Sequence, residues 1–168
     1  HIVVHGMDMG MTAALAATLL STMGAASVVG RLAVGQMVDK IGGKLGYVLC
    51  FIPLIAALSA FLVIDAAPWL FVAMAVYGFG HGGLFTVVSP SVAEYFGLKA
   101  HGAIFGLIMF FGTLGGASGP IAAGWIFDVT GSYFWVFSTL NLLAILGLAL
   151  VLLLPKHSIL THTEPVSA

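Results

Sequence analysis

Charged side chains are what this sequence has least of. Asp, Glu, Lys and Arg make up 7% of its 168 residues, against roughly a quarter in a soluble domain. Only five are cations, too few for a basic surface that could hold nucleic acid, and a net charge of -1 points to no class of partner. Cysteine is nearly absent as well. Cys50 stands alone in an apolar run, which excludes an internal disulfide and leaves the redox compartment unmarked. The apolar runs hold no H-E-x-x-H, paired-aspartate or serine–histidine motif, which argues against an intramembrane enzyme. His1, His5, His157 and His162 are too scattered for a metal site, so neither a metal nor another cofactor is expected. The chain opens at His1 without a charged n-region or cleavage site and is expected to be a fragment of something longer.

What the sequence has is apolar length. It is 61% hydrophobic, and about 20 apolar residues suffice to cross roughly 30 Å of hydrocarbon. Five runs qualify, and helices are predicted at about 12–37, 45–64, 68–89, 101–127 and 132–154, separated by "DKIGGK", "DAAP", "SPSVAEYFGLKAH" and "DVTGS". Residues 1–11 read as the last turns of an earlier helix and a loop, and 155–168 as a polar tail. The fold class is all-α, a polytopic transmembrane bundle. If loops are numbered alternately, Arg31, Lys40, Lys44, Lys99 and Lys156 all fall on one side, with Asp8, Asp65 and Asp128 opposite. Short Lys/Arg-rich loops stay cytoplasmic, so the tail is expected inside, at a plasma (bacterial inner) membrane. Trp69, Trp125 and Trp135 fall at the outer helix ends, as interfacial belt residues do.

The fourth run is rich in glycine. Gly102/Gly106, Gly112/Gly116 and Gly115/Gly119 have small-xxx-small spacing, followed by Pro120. Such spacing lets backbones approach, and a membrane proline frees a carbonyl and bends the helix. Gly112, Gly115, Gly116 and Gly119 are therefore predicted to pack and Pro120 to kink.

The stretch "GRLAVGQMVDKIGGK", residues 30–44, carries a resemblance. Its Gly35, Asp39, Lys40, Gly42 and Lys44 are similar to the G-x-x-x-D-[RK]-x-G-x-[RK] signature of the major facilitator superfamily, found in the turn between the second and third helices of each six-helix half. The resemblance implies that residues 1–154 are the C-terminal half of a twelve-helix carrier: the end of helix 7, then helices 8 to 12, with 155–168 as its cytoplasmic tail. A missing N-terminal half of the same chain is then the main partner, besides the lipid bilayer. "GRLAVG", "VAEYFGLKAHGAIFGLI" and "GPIAAGWIFDVTGSY" look like the monocarboxylate and oxalate/formate branch, whose members move small organic anions, often with protons or in exchange. Arg31 matches an arginine that serves that branch as counter-charge. Two features depart from it: Ser27 stands where monocarboxylate members have an acid, and no Lys or Arg lies between His101 and Asp128, where the oxalate pattern has a lysine.

The residues support the same site by their own chemistry. A central membrane cation costs about 2.5–3.5 kcal/mol even on insertion scales, which makes it a functional candidate by default. Arg31 is two turns before Asp39, about 12 Å inward at 1.5 Å per residue. It either forks onto a substrate carboxylate or snorkels to the headgroups. His81, in "VYGFGHGGLF", is about as deep when its helix is taken to end near Pro90, and Tyr77 lies one turn earlier on the same face. That imidazole either carries a proton or stays neutral, bonded to a neighbouring helix. Gly35, Asp39, Lys40, Gly42 and Lys44 read as a conformational latch rather than a substrate site; Glu94 and Lys99, in the next cytoplasmic loop, either join that network or form a solvated loop pair. Thr86, Ser89, Thr113, Ser118 and Asn141 bond across helices or to substrate. The expected function is secondary transport by alternating access, of a small monocarboxylate with proton coupling or exchange. The rivals are a carrier of the same fold for a drug or sugar and a non-transporting membrane sensor.

Overall fold

In the computed structural model, residues 2–155 are described and the chain is helical throughout its ordered elements: α1 (Ile2–Asp8), α2 (Ala13–Ala60), α3 (Ala67–Phe96), α4 (His101–Thr130) and α5 (Tyr133–Leu153). The polar tail expected at 155–168 lies outside the described residues except for Pro155. Among the described residues, four helices are long and apolar enough to cross a membrane. The longest, α2, counts twice. Its 48 residues would extend about 72 Å if straight, more than double the hydrocarbon thickness. It reverses instead at Gly42, whose φ of 78° and ψ of 165° are non-helical and cost glycine little. The two predicted spans around "DKIGGK" are thus the arms 13–41 and 43–60, which nearly abut.

Both arms lean on α3, and the contacts fix their directions. Met23 meets Gly78, Ser27 meets Gly82 and Val34 meets Gly83, so the first arm runs parallel to α3. Gly46 meets Val87 while Cys50 and Leu54 meet Gly80, so the second arm is antiparallel to it. α5 returns beside the second arm: Phe51 touches Gly147, and Asn141 Nδ2 donates to Ser59 Oγ at 2.9 Å. Side chains fill the joins, with Leu19, Leu54, Leu58, Leu70, Met74 and Phe137 in one buried cluster and Val34, Val38, Cys50 and Val87 in a second.

Two expectations change. The break predicted to start at Ser89 is helical through Phe96, with Pro90 inside α3. Proline lacks an N–H and frees one carbonyl, which a membrane helix tolerates, so it did not mark the end. The glycines predicted to pack, Gly112, Gly115, Gly116 and Gly119, have open space within 4 Å of the position a Cβ would take. The close seam lies between α2 and α3. A Cβ on Gly30, Gly78 or Gly82 would strike the backbone carbonyl of Phe79, Met23 or Ser27 respectively. α4 runs through Pro120 as one helix.

Candidate functional site

Tyr77, His81 and Phe85 repeat every four residues, so α3 presents them as a ladder on one face. Tyr77 stacks on His81 with centroids 5.8 Å apart, His81 meets Phe85 edge-on at 5.2 Å, and Phe61 from the end of the second arm approaches Tyr77 at 6.2 Å. Because α3 continues past Pro90, His81 is close to mid-helix, about 21 Å from either end, deeper than the sequence implied. Its Nδ1 is buried and has no hydrogen-bond partner among the described residues. At that nitrogen the expected bond to a neighbouring helix is not made.

The parallel seam brings Arg31 level with this ladder. Ser27 and Gly30 touch α3 at Gly82 and Phe79, and Arg31, next to Gly30, follows at the level of His81. Arg31 itself lies on the exposed side of the first arm, between Val29 at 58% and Leu32 at 65% exposure. The structure therefore joins Tyr77 and His81 directly, and Arg31 to them only through space.

Two cavities border the ladder. One of about 530 Å³ lies between α3 and α4, with His81, Phe85, Gly112, Thr113 and Gly116 in its wall. The other, of about 490 Å³, is walled by Met23, Met74, Tyr77, Gly115, Gly116, Gly119 and Pro120. The missing side chains on α4 provide this room, and Gly116 borders both volumes. Thr113 and Ser118 bond to carbonyls of their own helix, at 2.8 and 3.3 Å, rather than across.

The signature turn lies at one end of the bundle. Asp39 and Lys40 are exposed there, and the contact that closes the turn comes from Glu94. The Gly43 N–H donates to Glu94 Oε2 at 2.6 Å, which places a carboxylate on the positive end of the second arm. Glu94 thus joins the turn as a helix cap, one of the two readings open to it, rather than standing in a solvated loop pair with Lys99; once α3 extends to Phe96, the residue is carried on a helix rather than a loop. Lys44 Nζ donates to the carbonyls of Leu152 and Leu154 at 2.8 and 2.6 Å, closing the negative end of α5, and Tyr95 donates to Pro155 O at 3.0 Å. His101 Nε2 lies 3.1 Å from Ser89 O and ties the start of α4 to α3. Neither the Lys44 nor the His101 contact carries a sequence signal. Glu94→Gln keeps the side chain's length but removes the charge from the cap, and a loss of about 1–2 kcal/mol is expected. Thermal melting of the full-length protein in detergent measures it, and an unchanged midpoint would count against the cap.

A glycine-reversed helix pair on a common third helix, in a chain whose long helices are apolar enough to cross a membrane, makes this a polytopic helix bundle. The family model of the Major Facilitator Superfamily matches residues 3–166, and the chain belongs to that superfamily. It is 30% identical over 157 residues to Monocarboxylate transporter 13 of Rattus norvegicus, covering 92% of this chain and 37% of that protein. It is 28% identical to MFS transporter asaE of Aspergillus flavus, covering 79% of this chain and 30% of the relative. Sialic acid transporter NanX of Escherichia coli is 27% identical, over 71% of this chain and 30% of its own length. The chain thus spans about a third of the length of these curated relatives.

Proposed function

We propose that residues 1–154 are the C-terminal half of a secondary carrier that works by alternating access and moves a small monocarboxylate with proton coupling or in exchange for another anion. The observation that carries this reading is Arg31, a cation held within an apolar helix at the level of His81 and Tyr77. A guanidinium there can pair a carboxylate bidentately. Its exposed face suits a cavity completed by the other half of the protein, since sites in such folds lie between repeats near the midplane. The name of the relative from Rattus norvegicus supports the substrate class. Gly42, with Glu94 on Gly43 and Lys44 on α5, ties together the end that carries Lys40 and Lys99; Gly35 brings the first arm against Thr86. This end acts as the latch of one access state, and it faces the cytoplasm by the positive-inside rule.

Counterflow of labelled lactate, formate and pyruvate by the reconstituted full-length protein tests the substrate class. Exchange of at least one is expected. No anion exchange, with flux of a sugar or drug instead, turns the reading to a carrier of another solute; specific binding without flux turns it to a sensor. His81→Phe keeps a ring in the ladder and removes both nitrogens. It is expected to retain counterflow but to lose accumulation driven by a pH gradient, because only net uptake requires the proton step. Equal loss of both activities would assign His81 to substrate binding instead.

A further inference from the structure

At the end opposite the signature turn, three connections meet. The end of α1, the turn after Phe61 and the α4–α5 link enclose a pocket of about 330 Å³, within the size range of small-ligand sites. Its wall is aromatic: His5, Phe61, Phe127, Tyr133 and Phe137 all line it, and Asp8 is its one ionisable carboxylate. The rings hold one another in place. Phe127 stacks on Tyr133 at 4.4 Å, His5 stands edge-on to Tyr133 and Phe137 at 5.3 and 5.2 Å, and Phe61 reaches Phe137 at 5.2 Å. The Asp8 charge reaches both His5 and Tyr133.

The charged side chains near the pocket are acidic. Asp65 follows the lining residue Ile64, and Asp128 follows Phe127. The described cations Lys40, Lys44 and Lys99 belong to the opposite end, and Arg31 lies on the first arm of α2 at the level of His81. A carboxylate beside several aromatic rings suits a cation with apolar substituents, because a ring face attracts the charge while the walls accept the alkyl groups. The carboxylates Asp8, Asp65 and Asp128 disfavour an anionic ligand here, against the weaker pull of the α5 N-terminus at Ser132. The level is informative too: Trp125 and Trp135, 67% and 55% exposed, stand at this end, where tryptophans mark the headgroup region.

We infer that this pocket binds an alkylammonium group, the chemistry shared by the ethanolamine or choline headgroup of a phospholipid and by a free organic amine. The pocket is separate from the Arg31–His81 level, and its occupancy does not depend on what the carrier moves.

The test uses the full-length protein and two probes. In detergent, tetramethylammonium chloride is titrated calorimetrically; in nanodiscs, retention of phosphatidylethanolamine against phosphatidylglycerol is read by native mass spectrometry. Saturable tetramethylammonium binding identifies a site open to free amines, and preferential retention of phosphatidylethanolamine identifies a lipid site. In either case Asp8→Asn is expected to weaken binding about fivefold or more. Asp8 is exposed, so the substitution leaves the core untouched, which matched melting curves check. Phe134→Leu, at a lining ring that is 50% exposed, serves as a second variant and should weaken binding in the same direction. The inference is overturned by an absence of both signals, by binding that Asp8→Asn leaves unchanged, or by sodium acetate occupying the pocket in preference to the ammonium.

Discussion

Arg31→Ala in the full-length protein is expected to lower kcat/KM for monocarboxylate uptake by about two orders of magnitude. Removing one partner of a desolvated, hydrogen-bonded charge pair costs about 2–5 kcal/mol, and each 1.4 kcal/mol is tenfold. The geometry sets the expectation apart from a general loss of fold. Arg31 is exposed on the first arm and belongs to neither buried cluster, so its truncation opens no void in the core. Arg31→Lys sharpens the test: it keeps the charge but loses the planar fork, and should fall between Ala and wild type with a raised KM. A snorkelling arginine predicts another pattern. Uptake per correctly inserted molecule would then be unchanged in Arg31→Ala and the defect would appear in insertion or orientation. Counterflow normalised to accessible protein, with orientation measured by cysteine labelling from either side, separates the two.

The fold was legible wherever apolar length and glycine punctuation decide it. A helix lies along each of the five apolar runs, and the chain reverses at Gly42, within the signature. What escaped reading were choices made by partners distant in sequence. Pro90 looks like an end in one dimension, yet in a bundle its freed carbonyl does not break the helix, and the six further residues of α3 are what carry Glu94 to Gly43. Small-residue spacing is equally ambiguous. It occurs in both α3 and α4, and nothing local distinguishes a glycine pressed against a backbone, as at Gly82, from one that borders a cavity, as at Gly116. For the candidate site, Tyr77 and His81 follow from a four-residue repeat, whereas the approach of Arg31 depends on the parallel course of α2 and α3. That course is fixed by an even number of crossings together with the seam, and only the crossings could be counted in advance.

The seam carries the second large expectation, Gly82→Ala. A methyl there would fall on the carbonyl oxygen of Ser27, 2.6 Å from its Oγ and 2.7 Å from its Cα; at Gly78 it would meet Met23 O, with Cα at 3.0 Å. Apart from Ser27 Oγ these neighbours are backbone, which cannot swing aside as a side-chain end can. The helices must separate, and overpacking of this kind costs about 1–3 kcal/mol per site. Lipid offers no hydrophobic force between helices to offset it, since close van der Waals contact is itself what holds them. Gly78→Ala/Gly82→Ala together are therefore expected to remove most folded protein, seen as loss of the monodisperse peak in detergent and a lowered melting midpoint. Gly24→Ala is the matching control. It lies one residue from Met23 on the same arm, with open space around its Cβ position. Alanine there should be neutral or stabilising by about 0.5–1 kcal/mol through chain entropy. Equal damage from Gly24→Ala would show that glycine content, not the α2–α3 approach, holds the bundle together. Opposite signs at positions 24 and 82 would fix the seam, and with it the alignment that brings Arg31 to the level of His81.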